Sequence, residues 1–446
     1  MWAVLWASAL LGALPASAEQ RLKYRFEPGD RLVYERRTVI YPLESDQRIN
    51  ERIEQVQVWC LSWQAGEWLM LVEVLRAGDG QSEPTAGAVF YLHESGRRRI
   101  PPEMAPQLGM METALELLPV LPLPVQDESA WVAPPDLYEQ RWRYTACGAD
   151  TQQGGHRRFA VLVEDLTGVN DVAERKYSGA FWLDPTACVV TRLESELREG
   201  REKRRQRSAA VLRHRERMTP AWAARRAEEA ERYLRALRHE ERLLHMLIRQ
   251  PGTLPEMRSQ LDHLWSALRS DMDARAGSPF VRLAEGRRRH LQTAADVLAA
   301  RAALGQRWLD KPARPWTLQD PTGRTVTSEN LRGRVVIECY WSAESLWGLR
   351  SLESFRRTAR AVAAQSVTVL CLNMDFDLPR ARLVVERCGV GLSHVMAGPL
   401  QDVEGLSEWP VVRVVDQAGV VRGLWVGWQP DYAAAAELAR TLANRN

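Results

Sequence analysis

The chain has 446 residues, of which 45% are hydrophobic and 26% are charged, and its formal net charge is +3. This length is enough for two or three domains, and the composition is that of an ordinary globular protein. The small net charge gives no reason to expect a nucleic-acid partner. No nucleotide, phosphate or zinc signature is present, so no cofactor is predicted.

The first 18 residues are predicted to be a signal peptide. Val4–Leu14 is mostly apolar, and Ala16-Ser17-Ala18 supplies an A-x-A cleavage site before Glu19. No Lys or Arg precedes the apolar core, so either the signal is atypical or the true start lies upstream. A short buried N-terminal helix is the alternative to a signal peptide. Later in the chain no apolar run reaches about 18 residues, and no transmembrane segment is predicted. We therefore expect an exported protein of the periplasm or cell envelope, where disulfides are permitted.

Residues 19–217 are predicted to form a β-rich domain, because apolar and polar residues alternate between turn signals. The short connections indicate antiparallel strands in a curled sheet or open barrel. A helix is predicted over residues 103–118. The predicted strands cover residues 22–26, 31–41, 52–63, 68–77, 87–93, 142–147, 157–166, 179–183, 188–197 and 204–215.

Two features of this β-rich domain have a functional alternative. A curled sheet with several tryptophans could carry an apolar ligand, although aromatic residues more often form the core. The basic run Arg201–Arg217 could hold an anion. Its alternation and its interspersed glutamates favour a solvated surface strand instead.

Residues 218–312 are predicted to form a helical spacer. Proline follows Thr219 and Ser278, which places a hydroxyl cap before a proline at the first helical position. Thr253 is predicted to begin a capping box with the glutamate three positions later. The predicted helices run over residues 220–249, 254–275 and 279–308. The stretch Lys311–Pro315 is predicted to be a short, stiff linker.

The last part of the chain is built around Arg334–Leu349, which reads RVVIECYWSAESLWGL. Its first half is a nearly continuous apolar run, typical of a strand buried on both faces of a parallel sheet. A helical pattern, a second buried strand and another helix follow, which predicts a right-handed parallel crossover. A hairpin and a final helix complete the order. These later elements are predicted at residues 366–372, 378–387, 411–415, 420–426 and 432–443.

Over residues 313–446 this order resembles the thioredoxin fold, specifically its TlpA/ResA-like envelope branch. In that branch the first core strand runs into a W-A-x-W-C-x-x-C element. The ungapped match puts Trp341 on the first tryptophan, and Ser345 and Gly348 on the two cysteines. Thiol-disulfide exchange needs an attacking thiolate and a resolving thiol, and neither residue supplies one. The resemblance therefore implies a retained fold with a degenerate, redox-inactive motif.

The resemblance also implies a groove between the redox element and a proline that opens a later strand, usually in the cis form. The Trp409-Pro410 bond is accordingly predicted to be cis. Tryptophan is enriched at binding hot spots, so this groove is predicted to contact an envelope protein or peptide. The alternative is that both tryptophans pack against the spacer helices. No catalytic residue is assigned. The groove candidates are Ser345, Leu346, Trp347, Gly348, Trp409 and Pro410.

The sequence thus predicts a multidomain α+β chain whose thioredoxin-like module binds or scaffolds a partner. The alternative is an enzyme, a thiol-disulfide oxidoreductase that uses the non-motif cysteines Cys339, Cys371 or Cys388. A further alternative is carriage of an apolar ligand by the β-rich domain. The cysteines lack metal-ligand spacing, so no metal is predicted. Asp375 and Asp377 precede a helix, and capping is the predicted reason for both.

Overall fold

The computed structural model describes residues 23–76, 84–101, 103–104, 117–119, 130–133, 140–150, 155–165, 175–200, 203–273, 277–389, 391–400, 404, 406, 409–429 and 431–445. The predicted signal peptide and most of the predicted helix over residues 103–118 lie outside this part of the chain. The described residues form a large antiparallel sheet, a helical region and a second, mixed sheet.

The first sheet has eleven strands, in the order β5-β4-β3-β2-β1-β11-β10-β9-β8-β7-β6. Neighbouring strands are antiparallel and mostly consecutive in the chain, as the short connections predicted. Its strands are β1 Asp30–Pro42, β2 Asn50–Gln64, β3 Glu67–Arg76, β4 Pro84–His93, β5 Arg98–Arg99, β6 Ala130–Val132, β7 Gln140–Asp150, β8 His156–Asp165, β9 Arg175–Asp184, β10 Val189–Glu199 and β11 Arg204–Arg217.

The strand predicted over residues 22–26 is wrong for the residues that the structure describes, since 23–27 have no regular secondary structure. The apolar residues Tyr24 and Phe26 alternate with polar residues because both side chains are buried and stack on each other, with ring centres 5.4 Å apart. Isolated hydrogen bonds hold this segment instead of a ladder, and one of them runs from the N–H of Tyr24 to the carbonyl of Glu94 at 3.2 Å. The indole of Trp68 donates to the carbonyl of Phe26 at 3.0 Å, and the Tyr24 hydroxyl donates to the carbonyl of Pro119 at 2.6 Å.

Four helices follow the first sheet: α1 Pro220–Arg249, α2 Leu254–Asp273, α3 Pro279–Thr293 and α4 Ala295–Trp308. The two hydroxyl caps are confirmed. The oxygen of Thr219 accepts from the backbone N–H of Trp222, and that of Ser278 accepts from the backbone N–H of Phe280, both at 3.2 Å. These bonds satisfy N–H groups that have no partner within the helix.

Two details of the helical prediction are wrong. Thr253 ends a short 3-10 turn, and its hydroxyl donates to the carbonyl of Gln250 at 2.6 Å instead of capping α2. The third predicted helix is two helices, which meet at Ala294 with φ −86° and ψ 23°. There the hydroxyl of Thr293 donates to helix carbonyls one turn back, a local bond that competes with the helical ladder.

The helices pack on the first sheet through apolar and charged contacts. Trp59 on β2 stacks on Trp222 of α1 with ring centres 4.9 Å apart. Glu73 on β3 has no exposed surface and accepts two hydrogen bonds from Arg282 of α3, at 2.9 and 2.6 Å. Burial raises the pKa of Glu73, and the bonds from Arg282 oppose that rise.

The second sheet has seven strands, in the order β13-β12-β16-β15-β14-β17-β18. Strand β14 is parallel to β15 and antiparallel to β17, and the predicted order of strands, crossovers and hairpin is present. The elements are β12 Thr317–Gln319, β13 Thr325–Thr327, β14 Val335–Trp341, α5 Leu346–Val362, β15 Val367–Asn373, α6 Leu378–Cys388, β16 Ser393–Met396, β17 Val411–Val415, β18 Val421–Val426 and α7 Ala433–Ala443.

Both faces of the second sheet are covered, by different parts of the chain. Successive side chains of β14 point to opposite faces. The face that carries Cys339 and Trp341, here called face A, packs against α5, α6 and α7. The face that carries Glu338 and Tyr340, here called face B, packs against β12, Ile248 of α1 and the end of α4. Within the described residues, no helix has the length and apolar character needed to span a bilayer.

Candidate functional site

The pairing of β14 with β17 brings the motif predicted at Ser345–Gly348 and the proline to one edge of the second sheet. Tyr340 pairs with Val411, so the end of β14 lies beside the start of β17. The Trp409-Pro410 bond is cis, as predicted. The ring of Trp347 packs on Trp428 at 5.5 Å, and the adjacent Gly427 donates its N–H to the carbonyl of Pro410 at 2.9 Å. These contacts connect the two predicted walls of the groove.

The first motif position caps helix α5. Ser345 is the N-cap, with φ −99° and ψ 125°, and its hydroxyl oxygen accepts from the N–H of Gly348 at 3.2 Å. The hydroxyl therefore stabilises the N-terminus of the helix. Ser345, Trp347 and Trp409 are half-buried, and Pro410 is buried. The side chain of Leu346 lies outside the described part of the chain.

The second motif position has no room for a side chain. A Cβ atom on Gly348 would lie 2.3 Å from the carbonyl oxygen of Ser342 and 3.0 Å from its nitrogen. Both are backbone atoms of the turn that enters α5, so they cannot rotate away as a flexible side chain would. A cysteine at this position requires the turn to move. That a glycine stands in place of a cysteine is an inference from the resemblance, whereas the lack of space for a larger side chain is seen only in the structure.

The turn between β14 and α5 is held by a buried carboxylate that the sequence analysis misassigned. Asp375 does not serve there as a simple helix cap. It accepts from the Ser342 hydroxyl at 2.5 Å, from the Ala343 N–H at 2.9 Å and from the Asn373 amide at 2.8 Å. The carboxylate is 7% exposed. Charge-assisted bonds of this kind are stronger than neutral ones, so Asp375 fixes the turn that carries Ser345.

The non-motif cysteines lie beneath this edge, not on it. Cys339, Cys371 and Cys388 are each 0% exposed, and Cys339 and Cys371 are opposite each other on the parallel strands β14 and β15. Burial, and after it the hydrogen bond with Cys371, raises the pKa of Cys339 well above its usual range. Both effects oppose formation of a thiolate, the reactive form in disulfide exchange.

His394 continues this row of cysteines on face A, which the sequence analysis did not identify. It pairs with Cys371 in the ladder, and its Nε2 lies 3.1 Å from the carbonyl of Gly389. Its ring meets the ring of Trp341 edge-on at 5.8 Å. Burial first, with a contribution from the charge of Arg356, lowers the pKa of His394 to about 4. The imidazole is therefore neutral at physiological pH.

In the first sheet, the aromatic side chains contact one another. Phe181 stacks on Phe159 at 5.2 Å and meets Tyr144 edge-on at 5.8 Å, and the three are at most 2% exposed. This is the arrangement of a core, as the sequence analysis favoured. Trp131 and Trp142, on β6 and β7, are only partly buried. No contact among the described residues singles out an apolar ligand.

The arginines of β11 are paired with acids in the described strand. Arg207 bonds Glu196 at 2.8 Å, Arg213 bonds Glu35 at 2.6 Å, and Arg205 is paired with Asp46. These pairs agree with a solvated surface strand and reduce the positive charge available to an anion. Of the described residues, no three His, Cys, Asp or Glu side chains are grouped so as to hold a metal ion.

Comparisons with known proteins find similarity only to solved structures. No family model matches the sequence and no curated protein matches it. A thiol:disulfide interchange protein of the thioredoxin family from Chlorobium tepidum is 19% identical, with a TM-score of 0.27, and the match covers 29% of this chain and 96% of that one.

Two further structures show the same extent of similarity. The thioredoxin domain of a thiol-disulfide oxidoreductase from Bacteroides vulgatus is 17% identical, covering 29% of this chain and 97% of that chain, with a TM-score of 0.27. An exposed lipoprotein thioredoxin from Streptococcus pneumoniae is 17% identical over 29% and 100%, with a TM-score of 0.26. At these values the similarity implies nothing about the activity of this chain.

Proposed function

We propose that this chain is an exported cell-envelope protein whose thioredoxin-like module, residues 313–446, binds an extended peptide or a protein and does not exchange disulfides. A signal peptide over residues 1–18, a β-rich domain over 19–217 and a helical spacer over 218–312 precede that module. No catalytic residue, cofactor or metal is part of the proposal. The partner meets the edge formed by the degenerate motif and the Trp409-Pro410 loop.

The observation that carries the proposal is the geometry of Gly348. Its Cβ position lies 2.3 Å from a backbone oxygen, so the resolving thiol is excluded by shape as well as by sequence. The hydroxyl of Ser345 caps the N-terminus of α5. The remaining thiols of this module are buried at Cys339, Cys371 and Cys388, where they have no access to a protein disulfide. The alternative of an oxidoreductase with displaced cysteines has no observation in its favour.

The binding surface is supported by the two half-buried tryptophans at this edge. Trp347 keeps one side against Trp428, and Trp409 packs against the apolar cluster of face B. Both rings are half-buried, and an aromatic ring that is already packed gives contact area at a low cost in side-chain entropy. This arrangement suits the anchors of a binding surface.

The test compares Trp347→Ala and Trp409→Ala with the parent in full-length mature protein. Binding is read by cross-linked capture of envelope proteins, and folding by thermal melting. Loss of an aromatic anchor is expected to weaken binding by about 2 kcal/mol, roughly thirtyfold, with a small fall in melting temperature. Trp63→Ala is the matched control, because Trp63 is 47% exposed on the first sheet.

Two outcomes contradict the proposal. One is unchanged capture by both variants. The other is a loss of about 3–5 kcal/mol of stability in both, which is the cost of removing a packed core aromatic. If the parent protein reduced insulin and Cys371→Ser or Cys388→Ser abolished that activity, the result would support the oxidoreductase alternative.

A further inference from the structure

The end of helix α4 contacts the chain just before the Trp409-Pro410 loop. The guanidinium of Arg307 donates from Nη1 to the carbonyl of Glu404 at 2.8 Å. Glu404 is 4% exposed, and its carboxylate lies 3.9 Å from Nη1 of Arg413. Leu406 is also buried, in the same apolar cluster as Trp308. Helix α4 therefore holds the described residues of the segment that leads to the proline.

The next residue of α4 packs on the strands that carry both walls of the groove. The guanidinium of Arg413 lies 4.4 Å from the ring centre of Trp308 and 5.0 Å from that of Tyr340. Arg413 is 1% exposed and is ion-paired with Glu338, its direct neighbour across β14 and β17. A guanidinium that lies against two aromatic rings is bound by cation–π attraction, which is stronger when water is excluded.

These contacts converge on the two sides of the candidate groove. Glu338 lies on β14, whose end leads into the Ser345 turn, and Arg413 lies on β17, whose start follows Pro410. Because Trp308 covers both strands from face B, a shift of α4 acts on both walls. The distance between the two sides of the groove therefore depends on the position of α4 as well as on the pairing of β14 with β17.

The charged cluster under Trp308 is incompletely hydrogen-bonded. Nη2 of Arg413, Oε1 of Glu404 and the indole nitrogen of Trp308 are buried and find no hydrogen-bond partner among the described residues. Buried charged groups without hydrogen-bond partners are costly. The hydrogen bonds within this cluster therefore do little to fix the positions of its side chains. The positions of these side chains therefore depend on the packing around them, and α4 contributes the ring of Trp308 to that packing.

We propose that Arg307 and Trp308 are positioning residues for the groove, so that the helical region sets the spacing between the motif wall and the proline wall. The proposal builds on the groove as the binding site put forward above. Coupling of this kind is reciprocal: a ligand that tightens the groove stabilises the docking of α4, and loosening α4 weakens the ligand by the same factor.

The test measures hydrogen exchange in the full chain without any ligand. Arg307→Ala removes the bond to Glu404 from an exposed side chain, so the fold is expected to persist. Loss of one such bond is worth about 1 kcal/mol, so amides in Val411–Val415 and in the Ser342–Gly348 turn are expected to exchange about fivefold faster. Exchange in the first sheet stays unchanged. Arg307→Lys, which keeps a donor, is expected to restore much of the protection.

The matched control is Arg232→Ala, which breaks an ion pair between α1 and Asp271 of α2, away from the second sheet. Exchange within twofold of the parent in both groove segments of Arg307→Ala, or the same increase in Arg232→Ala, would overturn the positioning role. Because this readout needs no ligand, it is decided separately from the capture experiment. If the groove binds nothing, the proposed function fails while the exchange result still stands.

Discussion

His394 makes a defined contribution to the pH dependence of stability. Its pKa is about 4 in the folded chain, against 6.5 for an ordinary histidine. As pH falls below 6.5 the unfolded chain takes up a proton at this residue and the folded chain does not, so the free energy of unfolding decreases. The decrease continues to about pH 4, where the folded imidazole also becomes protonated, and it stops below that.

The size of the effect follows from the two pKa values. They differ by about 2.5 pH units, and each unit is worth about 1.4 kcal/mol, so about 3 kcal/mol is lost in total. The groups that face the ring or act on its pKa are Trp341, Cys371, the carbonyl of Gly389 and the guanidinium of Arg356.

The measurement compares the parent with His394→Gln, which keeps an N–H donor for the carbonyl of Gly389. Urea unfolding of the second sheet is followed at several pH values between 7.5 and 4, by hydrogen exchange into peptides that cover β15. The many carboxylates titrate in both proteins and cancel in the difference. The parent is expected to lose about 3 kcal/mol more than the variant. A difference that stays constant with pH would refute a buried, neutral His394.

Two further predictions concern the motif and the packing of the first sheet. Ser345→Cys alone is expected to lose about 0.5–2 kcal/mol because a thiol caps the helix less well than the hydroxyl. Ser345→Cys with Gly348→Cys is expected to lose about 1–3 kcal/mol more by overpacking against Ser342 and to show no insulin reduction. A stable, active double variant would contradict the geometry at Gly348. Glu73→Ala is expected to cost about 2–3 kcal/mol of stability in thermal melting, because it leaves Arg282 unpaired. Arg213→Ala breaks an exposed ion pair and is expected to cost less than about 1 kcal/mol. Equal costs for the two variants would refute the role of burial.

Much of the fold follows from local patterns in the sequence. The caps at Thr219 and Ser278 and the strand–helix order of the second sheet depend on residues close together in the chain, so they could be predicted. The short strand Ser393–Met396 was not predicted, because four residues carry too little periodicity. The break at Ala294 depends on a side-chain bond of Thr293 that helical periodicity does not reveal.

The candidate site was predictable in outline but not in mechanism. The register of the motif identified Ser345 and Gly348 directly. The carboxylate that holds the turn comes from Asp375, 33 residues beyond Ser342, so only the folded chain brings them together. For the same reason Asp375 was assigned to a helix cap. His245 of α1 is partly buried and lies 5.9 Å from Trp425 of β18, far from it in sequence. Contacts between distant segments are what local patterns leave out.

The place of Ser345 at the first turn of α5 has a practical consequence. A thiol at a helix N-terminus has a lowered pKa and is a good nucleophile near neutral pH. With Gly348 unable to supply a second thiol, a mixed disulfide formed there would have no neighbour to release it. The Ser345→Cys protein would therefore behave as a covalent trap that retains any partner presenting a disulfide or an activated thiol to this edge. The lack of space at Gly348 thus makes the Ser345→Cys protein suitable for identifying what binds at this edge.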